Sequence, residues 1–211
     1  MIRITMKGLA KYITAGESNK RKILRDFKFP DPEGSAQAIY YREARDIIEA
    51  YHRNNNKQDW LVRMADQLKI LSVSSIGTSK TRYSNNARAI IQYAQYFSNK
   101  KYIVLQDFKD KLIIDNIQIS VTPDLRVQEG NVIKLIKLEF AKEQLNREIP
   151  KIICQLMFET ACKANLQLKG SQILFIDVPR GIIYKDARTR ARMKTNIDAA
   201  CKNIDAIWDG I

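Results

Sequence analysis

Three charged side chains, Asp124, Lys137 and Glu139, stand where strand geometry should gather them. Residues 125–128 and 133–140 read as the arms of a hairpin across Glu129-Gly130-Asn131. Side chains at i and i+2 of a strand share a face about 6.6–6.8 Å apart, so Lys137 and Glu139 point the same way. Pairing through the tight turn sets Asp124 opposite residues 137–139. Burying an unpaired charge costs several kcal/mol. An Asp, a Lys and a Glu converging on one end of a sheet therefore satisfy one another or bind something. The plainer alternative is a surface ion pair at the strand ends, stabilising by less than about 1 kcal/mol.

Basic runs are the second chemical signal. Lys185, Arg188, Arg190, Arg192 and Lys194 cluster at the start of the last helical pattern, with 188 and 192 on one face and 190 and 194 on the adjoining one. Such a stripe fits phosphate contacts that position a duplex without reading its sequence, although a solvated helix face has the same composition. Lys20, Arg21, Lys22 and Arg25 offer a second phosphate-contacting arm. They belong to residues 1–30, where eight basic side chains face only Glu17 and Asp26.

Other candidates carry less. Tyr40 and Tyr41 beside Arg42 suit base stacking or the core and rim of an amphipathic helix. His52, before Arg53 and three asparagines, reads as a helix-terminal cation or neutral surface residue. Cys154, Cys162 and Cys201 are widely spaced and read as small core residues, and a single histidine excludes the usual zinc clusters. Ile76-Gly77-Thr78-Ser79-Lys80-Thr81 lacks the glycines of a phosphate-binding loop.

The elements that must hold these residues follow from periodicity. Residues 1–34 form a basic arm or small helical subdomain ending at Pro30-Asp31-Pro32-Glu33-Gly34, and residues 35–211 form one domain. Helical periods cover 36–52 and 58–71, a polar linker covers 72–86, and a third helix starts at Ser84-Asn85. From Lys101 the period becomes alternating: a strand at 102–106, a hairpin turning at Asp115-Asn116, and then the 125–140 hairpin, whose second strand is apolar on both faces as a covered central strand should be. A helix over 146–164, strands at 172–178 and 182–184 and a helix over 187–208 follow. The expectation is an α/β (α+β) chain, with N-terminal helices and then a central mixed sheet flanked by helices.

Composition bounds the class. Thirty-six Lys and Arg against 23 Asp and Glu give a net charge of +13, which points to a polyphosphate partner. At 45% hydrophobic the chain can fill a core and is not a disordered tail. Without a membrane-length apolar run or an apolar N-terminal segment, it reads as soluble and cytoplasmic, with no membrane partner.

The order hairpin, Pro123-Asp124-Leu125, strand, turn, strand with charges at its end, helix, strand resembles the PD-(D/E)XK nuclease superfamily, in particular its RecB-like exonuclease branch. The resemblance covers residues 101–185, with the preceding helices (35–100) as a version of the family's variable cap and a basic C-terminal helix over 186–211. It implies a restriction-endonuclease-like core and a Mg²⁺- or Mn²⁺-dependent deoxyribonuclease hydrolysing phosphodiester bonds. In that family two acids hold the metal and a lysine assists the attacking water. Asp124 matches the first acid, and Gln155 falls where the branch carries a helical glutamine. Here, however, Lys137 stands where the second acid belongs and Glu139 where the lysine belongs. Two outcomes follow from the swap. Asp124 and Glu139 chelate the metal at a shifted position, with Asp115 or Glu43 as extra ligands; or Lys137 pairs with Asp124 and replaces the metal. The second leaves a noncatalytic module that binds DNA or scaffolds a DNA-processing or defence complex. A third reading, outside the resemblance, is a basic structural protein with an acidic protein partner.

Overall fold

The computed structural model describes residues 1–30, 40–185 and 191–211. In chain order the elements are β1 (Ile2–Thr5), α1 (Met6–Thr14), α2 (Glu17–Lys28), α3 (Arg42–Arg53), α4 (Gln58–Ser74), α5 (Gly77–Phe97), β2 (Ile103–Val104), β3 (Asp110–Ile114), β4 (Ile117–Val121), β5 (Leu125–Glu129), β6 (Val132–Glu139), α6 (Glu148–Lys163), β7 (Ile173–Asp177), β8 (Ile182–Lys185) and α7 (Ala191–Ile207). The fold is α+β, as expected.

A five-stranded sheet runs in the order β2-β5-β6-β7-β8. Only β6 and β7 are parallel, and a tight turn cannot join parallel neighbours, so α6 carries the chain back between them. The residues of β6 and β7 alternate between two cores. Leu135, Ile173 and Phe175 enter one, while Ile136, Leu138, Leu174 and Ile176 enter the other. Helices α3, α4 and α5 cover the second face through Ile48, Leu61, Ala65, Ile90 and Tyr93. The first face is covered by α1, α6, α7 and a three-stranded sheet of order β1-β4-β3. The two predicted hairpins form, with Asp115 and Gly130 at positive φ (49° and 60°), a region that short polar residues and glycine tolerate in tight turns.

Several local expectations are corrected. The N-terminal segment, read as a basic arm or small helical subdomain, forms the two helices α1 and α2 and also a strand outside that expectation: β1 runs parallel to β4, from Ile2 opposite Ile117 to Thr5 opposite Ser120. The Thr5 hydroxyl accepts the Gly8 N–H at 3.0 Å and caps α1, and Leu9, Tyr12 and Leu24 are buried with α6. Two alternating isoleucines are too few to announce a strand whose partner lies so far along the chain. The linker expected over 72–86 is almost wholly helical, since α4 runs to Ser74 and α5 begins at Gly77. Its polar residues hold the helices together instead, with Ser72 Oγ donating to the Lys80 carbonyl at 3.0 Å. The strand expected at 102–106 shrinks to two residues, which pair only with Gln128 and Val127 at the sheet edge. Cys162 is exposed rather than in the core, while Cys154 and Cys201 are buried. His52, expected at the surface, is 3% exposed. The first turn of the helix expected from 36, Arg188 and Arg190 lie outside the described residues.

Candidate functional site

The charged residues singled out by spacing meet at the carboxyl ends of β6 and β7, the side on which open sheets with parallel strands bind ligands. Asp124 precedes β5, and its own N–H donates to the Ile136 carbonyl at 2.8 Å, which sets it opposite Lys137. One carboxylate oxygen, Oδ1, accepts Lys137 Nζ at 3.0 Å, with an Arg45 guanidinium nitrogen 3.9 Å away. The other, Oδ2, accepts the Leu138 N–H at 2.7 Å. Lys137 also donates to the Thr122 carbonyl at 3.1 Å.

Glu139 ends β6 on the same face as Lys137 and is buried. Its Oε1 accepts the N–H groups of Phe140 (3.1 Å) and Ala141 (3.0 Å). Its Oε2 accepts Lys7 Nζ, from the first turn of α1, at 2.6 Å. Beside it, Asp177 is the register partner of Glu139 across the parallel pair. Both Asp177 oxygens lie 3.1 Å from one nitrogen of Arg180, whose other nitrogen donates to the Lys142 carbonyl at 2.5 Å. Burial raises the Asp177 carboxyl above the ordinary carboxylate range, and Arg180 opposes that rise. Three carboxylates at one sheet end thus each meet a cation.

The fit of a divalent cation can be judged from these bonds. All four oxygens of Asp124 and Glu139 are already acceptors, two of them from ammonium groups, and Lys137 fills the position a second acid would need. Among the described residues no group of three His, Cys, Asp or Glu side chains is arranged to hold a metal. Neither extra ligand foreseen joins the site. Asp115 sits at the β3–β4 turn and acts electrostatically on Cys201 of α7, whose thiol burial pushes up to about 12. Glu43 is paired with Arg82 at 3.1 Å. The donor set as it stands does not fit a metal shared by Asp124 and Glu139.

Gln155 is buried on α6 and donates to Glu159 at 2.8 Å, not to Asp124 or Glu139. Glu159 in turn lies 3.8 Å from Lys194, which brings the basic start of α7 alongside the glutamine's helix. Arg192 is exposed there, and Lys185 ends β8 in solvent. On α2, Lys20 is engaged by Glu17 at 2.5 Å and lies over the Tyr12 ring, whereas Arg21, Lys22 and Arg25 are exposed with no ion pair to a described residue. The end of α2 reaches the far end of α7, where Lys28 Nζ donates to the Trp208 carbonyl at 2.8 Å. Lys194 and the Lys28 contact therefore mark opposite ends of α7, on the order of 20 Å apart at 1.5 Å rise per residue.

Spacing alone missed Lys7, Arg45, Asp177 and Arg180. For Asp177 a signal existed: an acid near the end of the apolar run Ile173-Leu174-Phe175-Ile176. Lys7 gave none, because its role depends on the long-range β1–β4 pairing. Comparison with known proteins adds nothing to these assignments, since no family model, no curated protein and no solved structure matches the chain. No helix among the described residues is long and apolar enough to cross a membrane.

Proposed function

We propose that this chain binds nucleic acid, DNA in the first instance, without cutting it: a PD-(D/E)XK-like core whose two acids are held by lysines in place of a divalent cation. The observation that carries the reading is the commitment of every oxygen of Asp124 and Glu139, with Lys137 and Lys7 as the two ammonium donors. A cation between the acids would have to displace both. The lysines also serve binding. Bare carboxylates at this strand end would repel a phosphate backbone, and the paired site does not. Exposed Arg21, Lys22, Arg25, Arg192 and Lys185 then supply sequence-independent phosphate contacts. In this role the chain acts as a module that presents DNA to a protein partner in a DNA-processing or defence complex.

The competing reading is Mg²⁺- or Mn²⁺-dependent hydrolysis, favoured by Asp177 standing next to Glu139 as a further carboxylate. Plasmid and linear DNA incubated with the protein and either metal separate the two. The module predicts binding that weakens steeply with added salt and leaves the DNA intact. Metal-dependent cleavage abolished by Asp124→Ala establishes the hydrolase instead. DNA affinity indifferent to salt removes the phosphate-contact picture altogether.

A further inference from the structure

On the α5 side of the same strand end lies a cavity of about 250 Å³ that the charged site does not use. Phe140 and Pro179 give it an apolar wall, Arg88 and Lys142 supply two cations, and Asn85 and Gln92 supply two amides. No acidic side chain lines it, so its charge preference is anionic. The Phe140 ring is fixed by stacking on Tyr41, with centroids 5.2 Å apart and planes 25° apart, and Arg88 also faces the Tyr41 phenol. Arg88 is further aimed by Asn85, whose Oδ1 accepts from it at 2.8 Å while the Asn85 amide donates to the Tyr40 hydroxyl at 2.6 Å. Lys142 is anchored through its carbonyl, which Arg180 holds.

We infer that this cavity is a binding site for a single nucleotide unit at the end of a strand, with its phosphate on Arg88 and Lys142 and its base against Phe140 and Pro179. Each part has a physical reason. The volume lies just below the roughly 300–1,000 Å³ of ordinary small-molecule sites, which suits one nucleotide and not a run of them. An amide both donates and accepts, which matches the mixed edge of a nucleobase. Phe140 is 5% exposed and stacked on Tyr41, so with Pro179 it offers the rim of an apolar wall that a base can lie against whatever its identity. β6 ends at Glu139 and the next residue, Phe140, lines the cavity, so the cavity's wall begins one residue beyond the strand end that carries the charged site. The strand-end assignment rests on the nucleic-acid reading above. The nucleotide site itself rests on the lining.

Calorimetric titration of the full chain with deoxyadenosine 5′-monophosphate, deoxyadenosine and inorganic phosphate tests it, with duplex DNA binding followed by fluorescence anisotropy on the same samples. The nucleotide should bind, with either fragment at least about tenfold weaker. The double variant Arg88→Ala/Lys142→Ala, which changes only exposed side chains, should weaken the nucleotide by about tenfold or more and the duplex far less. No nucleotide binding, or binding unchanged in the double variant, overturns the site and leaves duplex binding to be judged on its own. Nucleotide binding without duplex binding instead overturns the nucleic-acid reading. A 5′-phosphorylated single strand should compete with the nucleotide; failure to compete overturns the strand end as its source.

Discussion

Two polar clusters are buried on opposite faces of the large sheet, and they are built from different chemistry. At the carboxyl ends of β6 and β7 the cluster is ionic: Lys137 with Asp124, Lys7 with Glu139 and Arg180 with Asp177. Within the α3–α5 layer it is neutral. His52 takes Asn56 on Nδ1 at 2.5 Å and the Tyr93 hydroxyl on Nε2 at 2.7 Å, among the rings of Tyr51, Tyr93 and Tyr102. Asn86 donates to the carbonyls of Tyr40 and Arg82 and accepts the Ala44 N–H. The neutral cluster has its donors and acceptors matched inside the protein, so it fixes how the helices pack. The ionic cluster sits at a strand end where Lys7 is still 38% exposed, so an incoming anion or cation can compete for its partners. Rigid matching belongs to the scaffold, and contested pairing belongs to the site.

The sharpest way to break this contrast is Asn86→Ala. It strips partners from two backbone groups, the Ala44 N–H and the Tyr40 carbonyl, in a buried position, and should destabilise the fold by about 3 kcal/mol in urea unfolding while leaving DNA affinity per folded molecule unchanged. A loss below about 1 kcal/mol would mean that the neutral cluster is not structural.

Acid should weaken the neutral cluster next. Burial lowers the His52 pKa from 6.5 to about 4. A neutral imidazole satisfies both bonds, with Nδ1–H donating to Asn56 and Nε2 accepting from Tyr93. Below pH 6.5 the unfolded chain takes a proton that the folded chain refuses until about pH 4. Stability is therefore lost as pH falls through that window, by about 2 kcal/mol between pH 7.5 and 5. Urea midpoints for the wild type and His52→Gln should converge toward acid, because the variant lacks the titrating ring. An equal slope in both assigns the acid sensitivity elsewhere.

On the ionic side, Lys7→Ala should cost only about 1 kcal/mol, because Lys7 is 38% exposed, so that water reaches the Oε2 it vacates, and Oε1 of Glu139 keeps the Phe140 and Ala141 N–H groups. Its informative readout is metal. Mn²⁺ followed by electron paramagnetic resonance should stay free with the wild type and bind the Lys7→Ala/Lys137→Ala double variant, in which Asp124 Oδ1 and Glu139 Oε2 lose their ammonium partners. Wild-type protein that binds Mn²⁺ as tightly as the double variant would show that the lysines do not occupy the site.

The difference between the clusters also explains what the sequence could show. Both hairpins, the central place of β6 and the Asp124–Lys137 pairing follow from alternation and turn chemistry, which act over a few residues. Strand spacing places two acids and a lysine at one strand end, and the pairing of Lys137 with Asp124 is one of the outcomes it allows. Lys7 could not be foreseen, because nothing local indicates that β1 pairs with β4. The helical character of residues 77–86 was hidden for a related reason. Its polar residues look like a loop until Asn86 and Ser72 are seen to hold backbone groups of neighbouring segments. His52 reads as a surface residue because its burial depends on three tyrosines from three separate segments.

The smallest effect concerns Asp177, and it tests whether the third ion pair belongs with the other two. Burial raises this carboxyl and Arg180 restrains it. A raised folded pKa means that the folded chain keeps a proton which the unfolded chain has already released, so this group's contribution to stability is present at low pH and is lost as pH rises through the folded value. Arg180→Met removes the restraint and should move the Asp177 midpoint further up, read from the carboxyl carbon shift in an NMR titration. It also frees the Lys142 carbonyl at the edge of the nucleotide cavity, so the same variant should bind deoxyadenosine monophosphate more weakly even though it leaves Lys142 and Arg88 in place. An unmoved midpoint would make Arg180 a bystander to the carboxylate, and the ionic cluster would then consist of the two lysine pairs alone.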